Sequence, residues 1–118
     1  MNLNHVHLHF DSVNDAASFY MRYFGMHEHV WHGDMVFLRD GAGMDLAVAP
    51  GGAAKMPEWF HIGFRLSGHE AVKALHDRMQ ADGVTIRETL QKDGDFSYFR
   101  CADPGGYLIE IYYEPDPG

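Results

Sequence analysis

The chain has a single cysteine, Cys101, among its 118 residues. It can therefore close no intrachain disulfide and build no cysteine-based zinc centre. A lone cysteine in a strand-like segment reads as a small buried hydrophobe rather than a nucleophile. Positive charge is also scarce: 9 Lys and Arg stand against 17 Asp and Glu, for a formal net charge of −8. That balance argues against a nucleic-acid phosphate backbone or an anionic membrane as partner. A small anionic ligand stays open, because a bound metal can reverse the local field. No apolar run approaches membrane length, and the N-terminus lacks a basic stretch followed by an apolar one. The sequence thus reads as a soluble, cytoplasmic protein. With 46% hydrophobic residues, a chain of one domain's length (1–118) can bury a core without disulfides or a structural metal.

Histidine, by contrast, is plentiful, and three alternate in NHVHLHF, from Asn4 to Phe10. The pattern that follows occurs twice. HVHLHF precedes a helical stretch from about Asn14 to Phe24 and then Gly25. HIGFRL (His61 to Leu66) precedes a helical stretch from about Gly68 to Asp82 and then Gly83. Each glycine stands where a helix C-cap belongs. Ser67 and Glu70 have the spacing of a capping box, and Ala71, Val72, Leu75 and Met79 form an apolar stripe at helical spacing. After each helix come three short alternating runs: about 29–31, 35–39 and 44–49, then about 85–89, 97–102 and 107–113. Each half therefore reads strand, helix, strand, strand, strand. The expected modules are 1–49 and 59–115, joined by a linker over 50–58.

The period of two separates the faces of each strand. Val6, Leu8 and Phe10 oppose the three histidines; Ile62, Phe64 and Leu66 oppose His61, Gly63 and Arg65. Met44, Leu46 and Val48 oppose Asp45, Ala47 and Ala49, and Ile109 and Ile111 oppose Glu110. The apolar faces should pack beneath the helices. One polar residue stands out in each of these four strands: His5, Asp45, His61 and Glu110. Two imidazoles and two carboxylates suit Fe(II), Mn(II), Ni(II), Co(II) or Zn(II). For Glu110, a carboxylate inside the apolar run 107–113 is costly unless paired or metal-bound. On their own, such residues are also what any half-exposed strand carries.

NHVHLHF with SFYMRYFGM (Ser18 to Met26), FHIGFRL (Phe60 to Leu66) and DPGGYLIEIYY (Asp103 to Tyr113) resemble the vicinal oxygen chelate superfamily. That superfamily groups glyoxalase I, bleomycin-resistance proteins, fosfomycin-resistance enzymes, methylmalonyl-CoA epimerase and extradiol dioxygenases. The resemblance covers essentially the whole chain. It implies an α+β fold of paired βαβββ modules, whose curled mixed sheets enclose a metal cleft. It implies His5, His61 and Glu110 as ligands of one divalent metal (Fe, Ni, Zn, Co or Mn). A fourth ligand of the glyoxalase-type members falls near Asp45, where a longer Glu is usual. Asp45 could bind directly, bind through water, or act as the proton-transfer base. His7 follows on the cleft face as a candidate substrate contact or catalytic group, with His9 nearer the rim. Arg65, Tyr98, Arg100 and Tyr112 are further candidates to line the cleft as anion or hydroxyl contacts.

The resemblance implies chelation of two neighbouring oxygens of a small-molecule substrate by the metal. In a lyase or isomerase, Asp45 or Glu110 would shuttle a proton. In an Fe(II) extradiol-type ring-cleaving dioxygenase, His5, His61 and Glu110 would hold the iron and His7 or Tyr98 would assist proton transfer. Four ligands favour the first reading; a non-binding Asp45 favours the second. A fosfomycin-type thiol transferase ranks below both, because KDGDFSYF (Lys92 to Phe99) only loosely matches that group's loop. The non-enzyme alternative is a bleomycin-resistance-type ligand-binding protein, against which the intact His5, His61 and Glu110 argue. A homodimer is expected.

Overall fold

The structure is a computed structural model that describes residues 1–116. The last two residues of the expected domain 1–118 thus lie outside the described residues. The chain forms two compact units, Met1–Lys55 and a second from Met56 onward.

The first unit contains β1 (His5–Phe10), α1 (Val13–Phe24), β2 (His27–His32), β3 (Met35–Arg39) and β4 (Asp45–Pro50). Its sheet runs in the order β1-β4-β3-β2, with β1 parallel to β4 and the other neighbours antiparallel. The helix starts where the Ser12 side chain accepts from the Asp15 amide at 3.1 Å. It ends at Gly25, whose φ of +64° is the left-handed conformation that glycine adopts without a Cβ clash. Ala16, Ala17, Phe19 and Tyr20 form its buried stripe, packed on β3 and β4. Residues 45–49 of β4 are buried; α1 packs on this strand, which has a hydrogen-bonded strand on either side. Every residue of the edge strand β2 is exposed.

The second unit repeats this plan with β5 (Ile62–Arg65), α2 (His69–Ala81), β6 (Ile86–Asp93), β7 (Phe96–Ala102) and β8 (Leu108–Tyr113). The sheet order is β5-β8-β7-β6, again with the first pair parallel. Its core is Val72 and Met79 of the helix against Phe99, Cys101, Ile109 and Ile111. Cys101 is fully buried, and burial pushes its thiol up to about 12. The expected inert reading of that residue therefore holds.

Two local expectations differ. The helix begins one residue later than a Ser67 capping box requires: Gly68 occupies the cap and no side chain caps the helix. Instead His69, the first helical residue, shares a 2.7 Å hydrogen bond from Nδ1 to the buried Ser97 hydroxyl, which ties the helix start to β7. His76 joins Val72 and Met79 on the buried stripe, its ring edge-on to Phe99 with centroids 5.1 Å apart. An imidazole is apolar enough across its ring to pass as a core residue when one nitrogen, here Nδ1 toward Asp77, finds an acceptor.

Candidate metal centre

In the second unit, β8 turns Ile109 and Ile111 into the core, so the alternation forces Glu110 onto the other face. His61 immediately precedes β5, the strand paired in parallel with β8. This brings His61 Nε2 to 2.9 Å from Glu110 Oε2. The other ring nitrogen, Nδ1, lies 3.1 Å from the Trp59 carbonyl oxygen. A carbonyl only accepts, so Nδ1 carries the proton there, and Nε2 then faces a carboxylate that also only accepts. Such a contact needs a proton or a cation between the two groups. A carbonyl on the far nitrogen is the usual support of a metal-binding histidine.

The separation also fits a cation. Two donors about 2.0–2.2 Å from one metal are about 2.8–3.1 Å apart at a right angle, and about 3.3–3.6 Å apart at a tetrahedral one. The observed 2.9 Å is also that of a direct N–H···O hydrogen bond.

A row of charge crosses this sheet. Gly63, Glu110, Arg100 and Glu88 lie opposite one another on β5, β8, β7 and β6. The Arg100 guanidinium lies 3.9 Å from Glu110 and 3.7 Å from Glu88, and over the Tyr98 ring at 5.5 Å. Its Nε is buried without a hydrogen-bond partner among the described residues. The Tyr98 hydroxyl donates to Glu88 at 2.6 Å, and that bond, with burial, pushes the phenol's pKa up.

In the first unit, His5 is exposed and its Nδ1 is 2.9 Å from Asn4 Oδ1. The Nε2 atoms of His7 and His9 meet at 3.0 Å. Asp45 is opposite His5 in the parallel pair, but its carboxylate belongs to Arg39. Arg39 donates from Nε to Oδ1 at 2.7 Å and from Nη2 to Oδ2 at 3.0 Å. Those hydrogen bonds hold the Asp45 carboxyl below its usual range despite its burial. Sequence reasoning did not find Arg39. The signal was available: the Asp40–Met44 turn folds β3 back on β4 and sets Arg39 opposite Asp45. Among the described residues, no three His, Cys, Asp or Glu side chains converge on one point.

The family model of the Glyoxalase/Bleomycin resistance protein/Dioxygenase superfamily matches residues 2–111. The chain belongs to that superfamily. A possible glyoxalase from Bacillus cereus is 28% identical, with a TM-score of 0.83 over 94% of this chain and 97% of its own. The fosfomycin resistance protein FosX from Listeria monocytogenes is 20% identical, with a TM-score of 0.86 over 98% and 94%. A FosX structure in complex with Mn(II) and sulfate ion has a TM-score of 0.81 at 20% identity, over 97% and 93%. Lactoylglutathione lyase from Agrobacterium tumefaciens is 17% identical, with a TM-score of 0.75 over 95% and 92%. No curated protein matches the chain. The α+β fold of paired βαβββ modules is thereby established, with its two mixed four-stranded sheets.

The two modules of this superfamily member can be compared strand by strand through their parallel pairs. Val6 faces Leu46 in the first and Ile62 faces Ile109 in the second. With His5 matched to His61, the counterpart of Glu110 is the fully buried Ala47, and Asp45 lies two positions earlier. Two positions on a strand are about 6.6 Å. Asp45 is therefore not the repeat-related twin of Glu110, although both stand in the last strand of a module.

Proposed function

We propose that the protein is a divalent-metal-dependent enzyme acting on a small substrate with two neighbouring oxygens. The observation that carries this is the His61–Glu110 contact at 2.9 Å with the Trp59 carbonyl behind the ring. His61 and Glu110 supply two ligands, and His5 is the third candidate that the family resemblance implies. A metal held by two imidazoles and one carboxylate keeps open positions, where it can polarise a substrate carbonyl or hydroxyl. Such a ligand set suits Fe(II), Mn(II), Co(II), Ni(II) or Zn(II). Mn(II) is also the ion in the FosX complex.

For a glyoxalase-like lyase or isomerase, the chain's own residues divide the work. The Trp59 carbonyl fixes the His61 ring, and Arg100 keeps positive charge beside Glu110. Glu110 is the proton carrier in this reading. Asp45, held down by Arg39, is a poor base near neutrality. The same Arg39–Asp45 pair favours a second reading, because it withholds the fourth ligand and leaves a set suited to an extradiol-type dioxygenase. There His7 or Tyr98 would assist proton transfer. We further propose a homodimer in the cytoplasm; a mass twice that of the chain in light scattering supports the association, and a monomer at micromolar concentration counts against it.

Metal analysis of protein purified anaerobically tests the central claim. One divalent ion per chain is expected, lost in His61→Ala. Iron with catechol-dependent oxygen uptake selects the dioxygenase; Ni, Co, Zn or Mn with substrate proton exchange selects the lyase or isomerase. Equally little metal in both proteins after reconstitution overturns the proposal.

A further inference from the structure

Each sheet has one antiparallel edge strand, β2 in the first unit and β6 in the second. The two edges are built differently. β6 carries Arg87, Lys92 and Asp93 and departs twice from regular pairing with β7. Exposed charges and bulges of that kind keep an edge from joining another chain. β2 reads HEHVWH, without Lys, Arg or Pro, and all six residues are exposed, the apolar Val30 and Trp31 among them. Its outer row of N–H and C=O groups has no strand beside it among the described residues. Such a row takes an extended strand as its occupant.

The faces of β2 say which strand fits. Glu28 and Trp31 lie beside the buried Leu38 and Val36, on the helix side of the sheet. His27, Val30 and His32 lie beside Arg39, Phe37 and Met35, on the open side. The irregularity at His29 puts Glu28 and Trp31 on one face, where the indole donates to the carboxylate at 3.2 Å. About a two-fold axis this pattern is its own complement. Antiparallel pairing of all six residues sets His27 opposite His32 of the partner subunit and Glu28 opposite Trp31 of the partner subunit, so like faces meet. A slip of one residue either way sets the helix side of one strand against the open side of the other. The matched register also keeps the two Glu28 carboxylates about 10 Å apart along the strands and gives each an indole donor across the pair. We propose that β2 is the self-association surface: two copies join β2 to β2, and two four-stranded sheets become one of eight strands. This rests on the homodimer proposed above and names its surface.

Sedimentation equilibrium of the full chain between about 1 and 100 μM measures the association. The wild type is expected to dimerise. Val30→Lys, which sets one charge on each side of the axis, should weaken the dimer at least about tenfold. Gln91→Lys, a lysine on the β6 edge, should leave it within about threefold. Far-UV circular dichroism checks that both variants are folded. A dimer as tight in Val30→Lys as in the wild type overturns the β2 assignment and leaves the homodimer standing. A wild type that stays monomeric throughout overturns both. Cross-linking reads the register, and it decides alone if Val30→Lys fails to fold. Positions 27 and 32 are about 16 Å apart within one strand, beyond the roughly 7 Å that a disulfide spans. The double variant His27→Cys with His32→Cys should therefore form a covalent dimer in oxidised glutathione, and neither single variant should. A double variant that dimerises without cross-linking, or a single variant that cross-links as well, overturns the pairing.

Discussion

Arg39 grips both oxygens of Asp45, Nε on Oδ1 at 2.7 Å and Nη2 on Oδ2 at 3.0 Å. The pair joins neighbouring strands of one sheet and occupies a carboxylate that the sequence offers as a metal ligand. It carries consequences for both stability and chemistry.

The first is a pH dependence. Arg39's hydrogen bonds lower the Asp45 carboxyl from its ordinary value of 3.8. A carboxyl depressed in the folded state adds stability above its unfolded pKa and loses it as pH falls through the folded one. Asp45→Asn should therefore melt about 2–5 °C below the wild type at pH 7. The difference should shrink below about pH 4. Thermal melts followed by circular dichroism at pH 7, 4 and 2.5 check this; a difference that does not change with pH would contradict the assignment.

The second concerns His61. Its orienting partner is the Trp59 main-chain oxygen, not the indole, and Trp59 is 75% exposed. Trp59→Ala should leave metal affinity within about threefold, while Glu110→Gln should weaken it by at least about tenfold. Competition titrations with a chelator separate the two outcomes.

Cys101 should be silent. With its thiol pushed up to about 12 by burial, only about one molecule in ten thousand is thiolate at pH 8. Ellman's reagent should leave the native protein unmodified for hours and label one thiol per chain at once in guanidinium chloride. Rapid labelling of the native state would mean that β7 opens readily.

Asp103 anchors the turn that delivers β8. Its buried Oδ1 accepts from the Gly105 amide at 2.8 Å and the Tyr107 amide at 3.0 Å. Asp103→Ala strips both amides of this acceptor and should cost about 1–3 kcal/mol. Asp103→Asn keeps an acceptor oxygen and should recover most of that loss. Urea denaturation of the three proteins measures the difference; equal midpoints would deny the turn this role.

Much of the architecture is legible in the chain itself. Two β-periodic runs opening with histidine, two helical stretches ending in glycine and six further short runs correspond to the eight strands and two helices among the described residues. Val6, Leu8 and Phe10, or Ile109 and Ile111, declare their inner face through a period of two, which is a local property. The placement of Glu110 on the face opposite those isoleucines was likewise predictable, because alternation alone puts it there. The Ser67 capping box was misread because the same residues allow a start at either 67 or 68, and packing of His69 on Ser97 decides between them.

What the sequence determined, then, is everything that depends on neighbours along the chain: the repeated module, the core faces, and the candidate polar residues His5, Asp45, His61 and Glu110. Tertiary structure decided which of these have partners, since that depends on strand register. Register put Arg39 across from Asp45, Arg100 beside Glu110, and Ala47 where the first module's twin of Glu110 would stand. A shift of one residue in any of these pairings would have turned the side chain to the other face. The physical reason is that register is set by the hydrogen-bond ladder between strands, and the alternation within one strand does not record which residue of its neighbour will lie opposite.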